Sequence, residues 1–256
     1  MDDVTERARA LYDKYRFGDI RLGAEKVRSQ HEDRHLLKFL TMIPAGAHLY
    51  DIGCGTGYWM DVYHEYGIPK EKITALDLAA GNVDALRERG YSVFCGNAMD
   101  LPFADNVADC TICQGVIHHT EAPERAFGEL VRITRPGGLM YISVYNQWHP
   151  YFYVVHKATH PFRYVYWNWN KTLPTVALYP FFSAAIQSIT YLTKGSFMDR
   201  KSCMTLFMDQ VMTPRAHLFS QARIRKYAER QGCEILEFGY TRWFDMLSAI
   251  IRVGKA

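Results

Sequence analysis

The stretch Asp51-Ile52-Gly53-Cys54-Gly55-Thr56-Gly57 places three glycines at alternate positions, directly after an apolar run over 47–50. Glycine at this spacing lets the backbone take positive φ and brings main-chain amides to a ligand with no Cβ in the way. A helix predicted over 58–66 adds the free amides of its first turn to the same space. Asp77 ends a predicted strand over 72–77, about twenty residues after the glycines. One carboxylate there can accept from both hydroxyls of a ribose, and it can also cap the helix that follows. His118 and His119 follow a predicted strand over 108–113, and imidazole has the right pKa for a base near neutrality. Tyr145 and Asn146, just past a strand over 139–145, are comparable candidates for touching a substrate. A dinucleotide site wants G-x-G-x-x-G, with a third glycine where this chain has Tyr58, so the spacing argues against one.

The elements that must hold these residues alternate. Strands over 47–50, 72–77, 91–95, 108–113 and 139–145 are separated by helices over 58–66, 79–89 and 121–134, the last carrying Pro123 in its first turn. Arg135-Pro136-Gly137-Gly138 ends that helix. Such alternation predicts an α/β fold with a doubly wound, mostly parallel sheet, its ligands at the C-terminal ends of the strands. The turn Gly96-Asn97-Ala98-Met99-Asp100-Leu101-Pro102-Phe103 offers polar and then apolar groups, as an adenine ring requires.

The 256 residues are 48% hydrophobic and 22% charged, ordinary values for a globular chain. A net charge of +3 is too small to imply nucleic acid by itself. The acidic Met1-Asp2-Asp3 start lacks the basic and apolar parts of a signal peptide, and the expectation is a reduced, cytoplasmic protein. Cys110 and Cys113 have a metal-like spacing, but residues three apart on a strand face opposite sides and no second pair exists. No metal is expected.

Taken together, these phrases resemble the class I S-adenosylmethionine (SAM) methyltransferases, within the methyltransferase type 11 group that includes ubiquinone- and menaquinone-biosynthesis enzymes. The matching phrases are Asp51 to Gly57, Leu76-Asp77-Leu78, Gly96 to Phe103, Gly115-Val116-Ile117-His118-His119-Thr120 and Leu130 to Gly138, covering about residues 45–145. The resemblance implies a Rossmann-like, seven-stranded sheet and SAM as cofactor. It places Gly53, Cys54, Gly55 and Gly57 along the methionine part, with Asp51 orienting the turn. Asp77 and Leu78 would meet the ribose, Asn97, Ala98 and Met99 the adenine, and Gln114 the sulfonium side. Asn97 stands where the family usually has an acid. His118, His119 and Tyr145 are the catalytic candidates, though the histidine pair recurs in the family whatever the acceptor.

Residues 1–40 read as N-terminal helices, broken at Gly18 and Gly23, that cover the sheet edge or close over a ligand. Arg34 and His35 are read first as solvated helix positions, and in the closing alternative they lie near the cofactor's carboxylate end. The SAM-binding core is read as 41–146, a cap or lid as 147–217, and the rest of the core as 218–256. A connection of about seventy residues is too long to lack structure of its own. The first part of the cap is crowded with aromatics, among them Trp148, Tyr151, Phe152, Tyr166, Trp167 and Trp169. They can form the cap's own core or line an apolar acceptor pocket. Residues 173–193 carry no charge, but Pro174 and Pro180 argue against a membrane span and favour a buried or interface-lying helix pair. The expected partner is a small-molecule acceptor, with nucleic acid and membrane contact less favoured. The alternatives are a tRNA wobble-uridine methyltransferase, which the Val116-Ile117-His118-His119 phrase also resembles, and a SAM-binding protein without turnover.

Overall fold

The centre of the sheet is made of apolar runs that do not alternate. In the computed structural model, which describes residues 3–15, 33–241 and 246–254, β1 (Leu49–Ile52) and β2 (Ile73–Asp77) are buried at every position. Parallel strands covered by helices on both faces have no polar side, which is why no period of two marks them. With β3 (Ser92–Cys95), β4 (Ala108–Gln114), β5 (Thr134–Tyr145), β6 (Glu234–Tyr240) and β7 (Met246–Arg252), the order is β3-β2-β1-β4-β5-β7-β6. The first five strands run parallel and β7 is antiparallel to both neighbours. This is the seven-stranded, doubly wound sheet expected of the sequence. Its strand order reverses between β1 and β4, so the carboxyl ends of those strands flank the crevice.

Helices cover both faces. α2 (Arg34–Met42), α3 (Tyr58–Glu65) and α4 (Ala80–Glu88) bury Leu36, Phe39, Met60, Tyr63, Val83 and Leu86 on one side. On the other, α5 (Pro123–Ile133) and α10 (Gln221–Arg230) bury Phe127, Leu130, Ile224 and Tyr227. α1 (Asp3–Lys14) also forms, whereas Gly18 and Gly23 lie outside the described residues.

Strand β5 starts five residues before the expected Leu139. Thr134 pairs with Ala108, and pairing resumes at Leu139 opposite Cys110. The intervening Arg135-Pro136-Gly137-Gly138 is accommodated because Gly137 takes φ 79° and because a Cβ on Gly138 would meet two carbonyl oxygens at 2.8 Å. The same residues that stop the helix therefore bulge the strand.

Between β5 and α10 lies an inserted helical cap: α6 (Pro150–Ala158), α7 (His160–Asn168), α8 (Thr172–Lys194) and α9 (Arg200–Gln210). The helix pair expected across the uncharged stretch is instead one 23-residue helix. Pro174 sits in its first turn, where no intrahelical N–H is needed. Pro180 leaves the carbonyl four residues earlier, on exposed Val176, without its helical donor, and water can replace that donor. Among the described residues no helix is long and apolar enough to cross a membrane. The cap's core joins Tyr166, Phe207, Met208, Val211 and Met212 to Leu11 of α1, so the amino-terminal helix packs on the cap.

Phe207 is fully buried there, with ring centroids 5.4 Å from Tyr179 and 5.3 Å from Phe182. Replacing it with Ala is expected to cost about 3 kcal/mol through lost contacts and the cavity left behind. Limited proteolysis should then cut between 150 and 210 at lower urea than in the parent; an unchanged cleavage pattern would count against this core.

Candidate active site

The glycine turn is shaped by the strand next to it. The amides of Gly53 and Cys54 both donate to the Leu76 carbonyl, at 2.6 and 3.1 Å, and the Gly57 amide donates to the Cys54 carbonyl at 3.0 Å. Gly53, Gly55 and Gly57 take φ of 84°, 55° and 81°, all in the region that side chains disfavour. Space demands glycine as well: a Cβ on Gly53 would lie 2.2 Å from Val116, and one on Gly57 2.3 Å from Leu86. Gly57 is also the N-cap of α3, whose first amides face the crevice side of the turn.

Asp77 ties this turn to β2. One carboxylate oxygen accepts from the Gly55 amide at 2.8 Å, and the other from the Ala79 amide at 2.9 Å and the Asn82 side chain at 3.1 Å. Burial pushes its pKa up, and these three donors pull it down. Its Oδ2, which holds only the Gly55 amide, keeps room for one more donor such as a hydroxyl. Leu78 is half-buried beside it. On the neighbouring turn the Asn97 side-chain oxygen accepts from the Met99 amide at 2.9 Å, which leaves its NH₂ group as the free donor. Ala98 and Met99 are buried.

Gln114, at the end of β4, has a buried side-chain oxygen with no partner among the described residues. Its amide nitrogen lies 3.4 Å from Asp33, the N-cap of α2, which also accepts from Tyr141. Of the two helix positions expected to be solvated, Arg34 is and His35 is not. His35 turns to Ser248 of β7, 2.7 Å away, because Gly239 leaves room for its ring. Asp33 is filled by the His35 and Leu36 amides, Tyr141 and Gln114, so the orphaned Gln114 oxygen is the acceptor left over there, of a kind that suits an ammonium such as SAM carries. Cys54 is half-buried, its thiol pushed well up by burial and by the neighbouring carboxyls.

A second group of residues gathers at the ends of β4 and β5. The His118 ring lies 4.2 Å from His119 and 3.9 Å from Tyr145, whose other face stacks on Phe152 of α6 at 4.0 Å. Asp209 of α9 joins them. It accepts from the Tyr145 hydroxyl at 3.0 Å and from the Tyr12 hydroxyl of α1 at 3.1 Å, and stands 3.8 Å from His119 Nε2. His119 Nδ1 lies 3.0 Å from the Arg215 carbonyl, which assigns the ring proton to Nδ1. His118 is buried, and neither ring nitrogen has a partner among the described residues. Burial, reinforced by His119, His156 and His217, pushes its pKa well down, which favours the neutral ring. Asp33, Tyr12 and Asp209 were not singled out in the sequence. For Asp209 a signal existed: it is the lone acid in the apolar run Met204 to Met212.

Residues 50–142 match the family described as Methyltransferase domain. The chain is 36% identical over 115 residues to a tRNA (carboxymethyluridine(34)-5-O)-methyltransferase of Macaca fascicularis, covering 43% of this chain and 16% of that protein. It is 36% identical over 100 residues to a malonyl-acyl-carrier-protein O-methyltransferase of Serratia marcescens, covering 38% of each. The chain spans about half or less of the length of the curated relatives it matches. In fold it is similar to the methyltransferase solved with the Trm112 methyltransferase activator of Haloferax volcanii, at a TM-score of 0.60 and 17% identity, over 97% of this chain and 98% of that one.

Asp51 provides a test of the buried turn. Burial raises its carboxyl to about 7, against the opposing Tyr63 hydroxyl. A carboxyl raised on folding binds more protons in the native state, so the parent loses stability as pH rises from about 4 to about 7. Asp51→Asn does not titrate. Its melting midpoint relative to the parent should therefore climb across that window and level off above it; a difference independent of pH would show that Asp51 is not raised.

Proposed function

From a domain that belongs to the class I SAM-dependent methyltransferases, we propose an enzyme that methylates O, N or C of a small, partly apolar or aromatic acceptor. SAM, when bound, supplies a methyl group on a sulfonium already activated toward attack. The chain's own task is to align the acceptor, exclude water, and take a proton where the nucleophile arrives protonated. The observation that carries the reading is the enclosed ring cluster of His118, His119, Tyr145 and Phe152 at the β4 and β5 ends, roofed by α9 and α1.

In this reading Gly53, Cys54, Gly55 and Gly57 run along the methionine part, with Asp51 supporting the turn from below. Gln114 accepts from its ammonium, held in place through its amide nitrogen by Asp33. Asp77 and Leu78 hold the ribose, and Asn97, Ala98 and Met99 border the adenine. His119 is the better base of the two histidines. With the proton on Nδ1, its Nε2 holds the lone pair, and a proton arriving there makes an imidazolium beside the Asp209 carboxylate. His118, kept neutral, shapes the pocket and offers one N–H and one lone pair to the acceptor. Tyr145 has its hydroxyl on Asp209 and its ring between His118 and Phe152, so it positions His118. A reducing, cytoplasmic setting accords with six free thiols.

A second reading, a tRNA substrate, is supported by the 36% identity to the wobble-uridine enzyme. It requires binding that weakens steeply with salt, whereas a small neutral acceptor does not. Titration with tRNA at two ionic strengths separates the two.

Asp77→Ala should weaken SAM binding at least about tenfold, the order expected for losing a charge-assisted hydrogen bond to a ribose hydroxyl. Unchanged affinity by calorimetry would remove Asp77 from the ribose. Transfer from labelled SAM to a panel of phenols, amines and carboxylic acids identifies the acceptor. With that acceptor, His119→Ala should lower kcat by about a hundredfold, the usual range for a lost base, and leave the SAM Kd unchanged. A larger loss in His118→Ala than in His119→Ala would reverse the assignment.

A further inference from the structure

One face of the cap is unlike the rest of the surface. Helix α8 packs its inner side on the cap core through Leu178, Tyr179 and Phe182, and Gln187 is clamped to both main-chain groups of Met198 at 2.8 Å. Its outer side presents Leu173, Val176, Phe181, Ala185, Ile189 and Leu192 to solvent, with Phe181 78% and Leu192 83% exposed. No charged residue lies between Thr172 and Thr193. The apolar stripe thus runs the length of a helix about 34 Å long. A soluble surface rarely leaves so long an apolar strip uncovered.

Both ends of the stripe carry exposed aromatic pairs. Tyr164 and Trp169 meet edge to face at 5.8 Å near its start, and Tyr191 stacks on Phe197 at 5.0 Å near its end. Cations stand at the same two places: Lys171 at the N-cap, and exposed Arg200 and Lys201 just beyond the C-terminal end. Over residues 147–217 seven lysines and arginines face two aspartates. Of those aspartates, Asp209 is buried and Asp199 caps α9 through the Ser202 amide, so the cap is cationic while the whole chain is only +3.

We propose that the outer face of α8 docks the protein on an anionic lipid bilayer, with the helix lying in the interface plane. The chemistry of the occupant follows from three features. A long apolar stripe buries into the acyl boundary, aromatic rings at its ends suit the headgroup level, and lysine and arginine meet anionic lipid. A second copy of this chain is disfavoured by charge, because it would set one cationic cap against another. Spanning is excluded for α8 by its hydroxyls, glutamine and internal proline, in line with its failing the hydropathy needed to cross a membrane. The inference is independent of the acceptor's identity, and its test needs no turnover.

Flotation with unilamellar vesicles of phosphatidylcholine, with and without phosphatidylglycerol, reads it directly. The parent should float with the anionic vesicles, and raised salt should release it. The double variant Phe181→Gln with Leu192→Gln should lower the bound fraction's partition coefficient at least about tenfold, since each removes exposed apolar area that the interface would bury. A second pair, Leu173→Gln with Ile189→Gln, should do the same. All four positions are exposed in the free protein, so both variants should keep the parent's circular dichroism and melting midpoint. No flotation of the parent, or equal flotation with and without phosphatidylglycerol, overturns the proposal. So does a dimer in sedimentation equilibrium that the Phe181 and Leu192 changes dissolve, because a second copy would then be what covers the face.

Discussion

The Gly55 amide donating to the buried Asp77 carboxylate is the interaction on which the site depends. A carboxylate taken from water needs donors, and the turn after β1 is where one is available. Two further donors, from Ala79 and Asn82, hold the same group at the start of α4. With the Leu76 carbonyl accepting from Gly53 and Cys54, the end of β2 becomes the template on which the glycine turn is folded. The positive φ values at Gly53, Gly55 and Gly57 follow from that tether, and so does the direction of the α3 amides. The turn and the acid are therefore one unit, although about twenty residues separate them in the chain.

A second buried carboxylate does comparable work where the cap meets the core. Asp209 gathers a phenol from α1, a phenol from β5 and an imidazole from the end of β4, and so binds the cap to the core. Its two phenolic donors offset the loss of water at its oxygens. The group that holds the cap down is also the group that faces His119. The shared core of Leu11 with Phe207 and Met212 adds the non-directional part of the same contact. Outside that contact the cap leaves α8 half-covered, a surface whose apolar length and cationic ends fit an interface better than bulk water.

Much of the core was legible because its signals are local. Three alternate glycines, a strand-ending acid and the Arg-Pro-Gly-Gly stop each act within a few residues, and the sheet assembled in the order that such alternation predicts. The strand boundary at Thr134 was missed because the stop and the bulge use the same glycines, and only pairing with Ala108 tells them apart. The single helix over Thr172–Lys194 was missed for a related reason. Proline weakens a helix by removing one donor, but whether the orphaned carbonyl can be hydrated depends on which face it lies on.

From the residues alone came the parallel sheet, the phosphate-free glycine cradle, the ribose-type acid and the two histidines near one strand end. These rest on backbone sterics and short spacings, which act before the chain is folded. What tertiary structure decided was partnership. Asp33 beside Gln114, His35 turned to Ser248, and Asp209 holding Tyr12, Tyr145 and His119 together all join residues far apart in the chain. Such contacts are set by which helix packs over which strand end. Burial then shifts protonation by disfavouring charge: the His118 imidazole is pushed well down and the Asp51 carboxyl up to about 7.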